Sequence, residues 1–396
     1  MRILLASWHQ ALGGGAEEYL RGLIPALEAR GHEVAFLHEH AYTEGVGTVD
    51  PSDHAMPRWC ADDLGPGPAV EAVAAWRPDV AYNQALGSSS LEAALIACAP
   101  TVLFAHGYYG TCATGTKRYA LPGVASCTRT FGPACLALHY PRRCGGLDPR
   151  VLFAGYRQQA ARLALLPRYR AVLVASSHMQ REFARHGVAP ERLHLAPLPP
   201  AGMTADPAAP APRMPTGRIA FLGRLTDDKG VDRLIDAVPL AESALGRPLS
   251  LTVAGSGPAL ERLRAQAAAR NVRAEFPGWV GPEDKVRLLR GADLLALPSV
   301  WGEPYGLVGI EAGCVGTPAV GFAMGGIPDW LKPGDTGELA PADPPDVAGL
   351  ADAMTRALGD PARHQRLRVG AWNHARRYGM EAHLATLEPL LAGAVR

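Results

Sequence analysis

Short apolar runs of four to eight residues alternate along the chain with stretches in which apolar residues recur every three or four positions. The first kind predicts buried parallel strands and the second amphipathic helices. In the first half the strand-like runs are 2–7, 33–38, 79–83, 101–105, 171–176 and 193–196. In the second they are 218–222, 249–254, 272–276, 293–297 and 317–321. Between them, Tyr19, Leu20, Leu23, Ile24 and Leu27 keep helical spacing over 17–30, with Gly31 as a stop. Similar patterns predict helices at 70–76, 91–97, 150–167, 260–270 and 284–289, and from Ser177, Val231, Val347 and Pro361 onward. Residues 41–68 are polar and rich in Gly, Pro and Asp, and read as loop. The rhythm breaks at a proline- and alanine-rich stretch, read as a linker over 199–217. Strand–loop–helix–strand on both sides of it predicts two doubly wound α/β domains, 1–198 and 218–380.

Composition narrows the class. With 396 residues, two domains of ordinary size are expected. Apolar residues make up 48% and charged residues 19%, which fits a globular chain and argues against a disordered one. A net charge of +1 gives no argument for nucleic acid as a partner. The first apolar run stops at Ser7-Trp8-His9, too short for a secretion signal, and no run reaches the length of a membrane span. Seven cysteines, an odd number, fit a reducing compartment, so a cytoplasmic chain is expected.

The candidate chemistry lies at strand ends. After 293–297 comes W-G-E-P-Y-G-L-V-G-I-E-A-G, with Glu303 in a loop, Gly306 at a turn and Glu311 on the helix that follows. The amides of Gly306, Leu307 and Val308, at the start of that helix, suit an anion. Carboxylates on both sides of such an anion suit a molecule with hydroxyls flanking a phosphate. After 218–222, Arg224 and Lys229 share one short loop, where two cations neutralise a diphosphate. The bland alternative is a solvated turn, its cations paired with Asp227 and Asp228. Gly13-Gly14-Gly15 follows the first strand but does not match G-x-G-x-x-G, so a dinucleotide site fits poorly. His106-Gly107 ends 101–105, where open α/β sheets take ligands; a structural hydrogen bond is the alternative for His106. Cys112, Cys127, Cys135 and Cys144 fall in an irregular stretch, 107–148, without a C-x-x-C pair. A metal site, a disulfide and free thiols remain three readings of them. Arg157, Arg162, Arg168 and Arg170 read either as a solvated face or as a contact for anionic lipid.

Together the motifs resemble the retaining glycosyltransferases of family four. The E-x7-E of Glu303 and Glu311 carries the resemblance, with G-R-x-x-x-x-K-G at Gly223–Gly230 and a closing G-x-x-G-x-L at 334–339. It extends over nearly the whole chain, strongest over 218–340 and weakest over 41–150. It implies the GT-B fold, two Rossmann-like domains facing across a cleft, with the last helix, 381–396, crossing back to the first domain. It implies that Glu303 contacts the donor sugar and Glu311 the nucleotide ribose. By the same resemblance Arg224 and Lys229 bind the diphosphate, and His106 touches the sugar. Gly14 and Gly15 face the donor phosphate, and Gly255 and Val280 belong to the nucleotide site. The implied reaction transfers a sugar from a nucleotide diphosphate sugar, UDP- or GDP-linked, to an acceptor hydroxyl with retention. Catalysis comes from Glu303, His106, Arg224 and Lys229, and no cofactor is required. No Asp-x-Asp pair stands at a strand end, so the chemistry does not call for a catalytic metal. Bacterial polysaccharide, glycolipid or glycoconjugate synthesis is the implied setting, with peripheral contact at the inner membrane face open. A glycosyltransferase of a small natural product, a nucleotide-sugar epimerase and a non-catalytic glycan- or nucleotide-binding protein are the rivals.

Overall fold

The structure, a computed structural model, describes residues 1–11, 15–41, 49, 56–84, 86–200 and 202–395. The chain forms two compact units. Unit 1 comprises Met1–Lys117, Thr128–Gly202 and Met380–Arg396; unit 2 comprises Arg118–Cys127 and Met203–Gly379. In chain order the strands are β1 (Arg2–His9), β2 (Glu33–His40), β3 (Arg58–Cys60), β4 (Val80–Asn83), β5 (Thr101–Phe104), β6 (Arg118–Tyr119), β7 (Ala125–Ser126), β8 (Ala171–Val174) and β9 (Leu193–Leu195). They continue with β10 (Arg218–Leu222), β11 (Ser250–Ala254), β12 (Ala274–Gly278), β13 (Leu294–Leu297), β14 (Ala319–Phe322) and β15 (Gly337–Ala340).

Unit 1 is built on a parallel sheet of order β3-β2-β1-β4-β5-β8-β9, unit 2 on one of order β12-β11-β10-β13-β14-β15. In each the chain reverses direction across the sheet once, between β1 and β4 and between β10 and β13. Ligands bind beyond the carboxyl ends of the strands at such a reversal. The central strands are buried on both faces: Ile3, Leu4, Leu5 and Ala6 in β1, Leu294, Leu295 and Ala296 in β13. That is why they read as unbroken apolar runs.

Three regions differ from the expectation. Within 41–68, β3 forms the sheet edge, Leu37 opposite Trp59, and short helices follow at Ala61–Leu64 and Pro66–Trp76. A three-residue edge strand is too short to show alternation. Pro66, read as a loop signal, instead stands at the first helical position, where its missing N–H costs nothing. The supposed linker is largely bound to unit 2. Gln365 Nε2 donates to Pro210 O at 2.7 Å, and Trp372 Nε1 to Asp206 O at 2.8 Å. The buried Asp293 Oδ2 accepts from the backbone N–H of Thr216, Gly217 and Arg218. Prolines keep their carbonyls as acceptors, so a proline-rich segment can still be held tightly. Finally, Arg118–Cys127, read as part of the first domain, groups with unit 2 as an antiparallel hairpin of β6 and β7.

In unit 1 the last helix, Met380–Val395, packs through Leu384, Leu387 and Leu391 and through the buried His383. His383 Nδ1 donates to Pro197 O at 3.0 Å, and its Nε2 accepts from Tyr19 Oη at 2.7 Å. Elsewhere in this unit a buried ion pair joins Lys117 to Glu182, both almost inaccessible, and Lys117 Nζ also donates to Thr111 O at 3.2 Å. Glu182 also pairs with Arg185 and lies 3.4 Å from His186, so removing Lys117 takes away its buried cation but leaves a half-exposed one. Lys117→Met is expected to cost unit 1 about 1–3 kcal/mol, read as a lowered midpoint in urea. A midpoint equal to the wild type's refutes this. Among the described residues, no helix is long and apolar enough to cross a membrane.

Candidate active site

The site of unit 2 lies at its sheet reversal. The loop after β10 ends in the turn Asp227–Lys229, and Val300 N donates to Asp228 O at 2.9 Å, joining that loop to the segment after β13. Gly230 makes this approach possible. Its φ is +67°, and a Cβ there would stand 1.9 Å from Pro298 O. Only glycine takes both the left-handed backbone and the contact.

This junction sets Lys229 against Glu303. Lys229 Nζ donates to Glu303 Oε2 at 2.6 Å, and Ser299 Oγ donates to the same oxygen at 3.1 Å. Glu303 Oε1 takes no partner among the described residues. The ammonium also lies 5.6 Å from the centroid of the Trp301 ring, a favourable face for a cation. Gly326 N donates to Glu303 O at 2.7 Å, so the turn after β14 fixes the backbone behind the carboxylate. Lys229 is mostly buried, yet two of its three N–H bonds are not spent on Glu303.

Arg224 is exposed on the loop that carries Lys229. The acidic residues between them have other partners: Asp227 pairs with Arg262 at 2.7 Å, and Asp228 stands 3.9 Å from Arg118. The self-paired turn that was the bland alternative does not form. Gly306 is in the turn before the helix Val308–Cys314, which starts at Leu307 without a side-chain cap. Glu311 is buried on that helix and pairs with Lys285 at 2.9 Å. Gly255 follows β11 and packs on the Gly223 carbonyl, where a Cβ would come within 1.9 Å. Val280 is half-buried just past β12. Ser299, Trp301 and Lys285 were not found from sequence. Ser299 and Trp301 are near neighbours of Glu303, whereas nothing local ties Lys285 to Glu311.

In unit 1, His106 stands two residues beyond β5. Its Nε2–H donates to Gln84 Oε1 at 2.7 Å, and its ring lies 4.6 Å from that of Phe104. Burial pushes its pKa down to about 4, so at neutral pH the ring is uncharged, with Nδ1 as an acceptor. Gly15 begins the helix Gly15–Ala29, while Gly14 lies outside the described residues. Cys112, Cys127, Cys135 and Cys144 form no disulfide. Among the described residues no three His, Cys, Asp or Glu side chains gather as a metal ion needs, so neither the metal nor the disulfide reading finds its geometry.

The chain matches two family models: "Glycosyltransferase Family 4" over residues 13–199 and "Glycosyl transferases group 1" over 204–373. It is 30% identical over 389 residues to a glycogen synthase of Mycobacterium tuberculosis, covering 92% of this chain and 88% of that protein. To a D-inositol 3-phosphate glycosyltransferase of Corynebacterium efficiens it is 37% identical over 183 residues, 44% of this chain and 42% of the other. Among solved structures, HepE of Anabaena in complex with UDP-glucose superposes with a TM-score of 0.67 at 18% identity, covering 99% of both chains. That likeness carries the fold, which is GT-B.

Proposed function

The chain belongs to glycosyltransferase family 4, and we propose that unit 2 holds a nucleotide diphosphate sugar whose sugar passes, with retention, to an acceptor hydroxyl. The observation that carries this is the Lys229–Glu303 pair at the sheet reversal, with Arg224 exposed on the same loop. A diphosphate leaving group gains negative charge as the glycosidic bond breaks. Lys229, Arg224 and the amides around Gly306–Val308 bind that charge more strongly in the transition state than before it. Glu303, fixed at Oε2, offers Oε1 to the sugar hydroxyls as C1 becomes positive. Glu311, paired with Lys285, takes the ribose, and Gly255 and Val280 line the nucleotide. In unit 1, the neutral His106 keeps Nδ1 as an acceptor suited to a sugar hydroxyl. The acceptor oxygen attacks C1 on the face the diphosphate leaves, and its proton passes to a phosphate oxygen of the leaving group.

The first base to test is uracil, since the neighbouring HepE structure is a complex with UDP-glucose. The acceptor in this reading is a hydroxyl of a bacterial glycan or glycolipid, met in the cytoplasm or at the inner membrane face. A thermal-shift panel of UDP, GDP, ADP and TDP with their common sugars tests the donor. One diphosphate is expected to raise the melting temperature by mass action. Slow release of sugar in water, with the anomeric configuration kept, then supports a transferase waiting for its acceptor. Donor conversion to an epimer, or no shift with any nucleotide, overturns the reading.

A further inference from the structure

The hairpin of β6 and β7 interrupts unit 1 in sequence, yet it belongs to unit 2, and its position there is specific. Arg118 and Ser126 are cross-strand partners. Arg118 Nη2 lies 3.9 Å from Asp228 Oδ1, beside Lys229. Ser126 Oγ donates to Met324 Sδ at 3.4 Å, on the turn whose Gly326 N–H holds the backbone of Glu303. Val124, at the hairpin's turn side, packs on the unit 2 core. One residue pair thus touches both loops that frame the Lys229–Glu303 pair.

We propose that Arg118 is a third cation of the donor site, one that contacts the diphosphate directly. At 3.9 Å the Asp228 carboxylate attracts the guanidinium without accepting a hydrogen bond from it. Among the described residues no other acceptor takes its side-chain N–H groups. The Arg118 side chain is 28% exposed, so a diphosphate has access to it, whereas Asp228 is largely buried and fixed. A guanidinium aimed by a buried carboxylate, with its fork of donors unspent, is suited to phosphate oxygens. Asp228 is then a positioning residue: it holds Arg118 beside the loop of Arg224 and Lys229.

This inference rests on the donor-site reading above, and calorimetric titration with UDP and with uridine separates the two. Arg118→Ala is expected to weaken UDP binding about tenfold or more, the size of one lost charge-assisted hydrogen bond, and to leave uridine binding unchanged. Arg118→Lys, which keeps the charge, is expected to recover part of the loss. General damage to the fold weakens both ligands alike, and that outcome overturns the proposal, as does a UDP affinity within about twofold of wild type. Should Arg118→Ala fail to fold, Arg118→Gln, of closer length, carries the same comparison. If Lys229→Ala abolishes UDP binding while the Arg118 variants keep it, only this inference falls. If Lys229→Ala also leaves binding unchanged, the donor site itself is misplaced and both fall.

Discussion

Lys229→Ala is expected to lower turnover of the nucleotide sugar by about 10²–10³-fold or more, with unit 2 still folded. Two losses combine. The diphosphate loses a cation in a place largely shielded from water, where a charge–charge contact is worth most. Glu303 also loses the partner that fixes Oε2 and retains only Ser299 on that oxygen. The companion variant separates the two effects. In Glu303→Ala the ammonium is released from its carboxylate, so UDP binding is expected to hold or to tighten while turnover falls by orders of magnitude. Lys229→Ala weakens both binding and turnover. The double variant is expected to be no worse in turnover than the poorer single one, because residues that act as a unit do not add. Rates at saturating donor, UDP titration and a melting curve for each variant decide the matter. Near-normal turnover in both single variants sinks the assignment. Loss of melting cooperativity in either would mean that the ion pair supports the fold rather than the reaction.

Much of this arrangement was legible in the sequence, and the part that was not has a common cause. The two sheets were visible because central parallel strands are buried on both faces and must be written as apolar runs. The glycine-punctuated ends of β10 and β13 were visible for a related reason. A left-handed turn in tight contact, such as Gly230 against Pro298, leaves no other residue choice. What sequence could not supply is pairing at a distance. Lys229 and Glu303 are each conspicuous, yet nothing in their neighbourhoods says that they meet. Lys285 on the helix Pro282–Gly291 looks like any solvated lysine until the fold sets it beside Glu311. The segments 118–127 and 203–217 fail for the same reason. Neither has a period of its own, and each takes its conformation from partners far along the chain: Asp228 and Met324 for the first, Asp293, Gln365 and Trp372 for the second.

The second large effect is an acid transition in unit 1. Burial pushes the pKa of both His106 and His383 down to about 4. The sign follows from counting protons. Unfolded, each imidazole takes a proton as pH falls through about 6.5; folded, each stays neutral down to about 4. The unfolded chain therefore binds more protons in that window. Stability is complete above about pH 6.5 and is lost as pH falls toward 4, by roughly 3 kcal/mol for each residue. Burial also raises the pKa of Glu39 and Glu92, and these work in the opposite sense, because a carboxyl group that stays protonated in the fold gains stability in acid. The net slope therefore does not identify the histidines, but a variant does. His383 is held in one tautomer, accepting from Tyr19 Oη while donating to Pro197 O, so a second ring proton would face the Tyr19 oxygen. That hydroxyl is already close to Tyr82 Oη at 3.2 Å, and it would have to turn its own proton away. His383→Gln keeps polar atoms in the site but cannot titrate. Urea unfolding at pH 7.5, 5.5 and 4.5 should show the variant less stable than wild type at the highest pH, with the gap closing as pH falls. A constant gap across the three values would mean that His383 is protonated alike in both states, and the acid transition would then have to come from elsewhere.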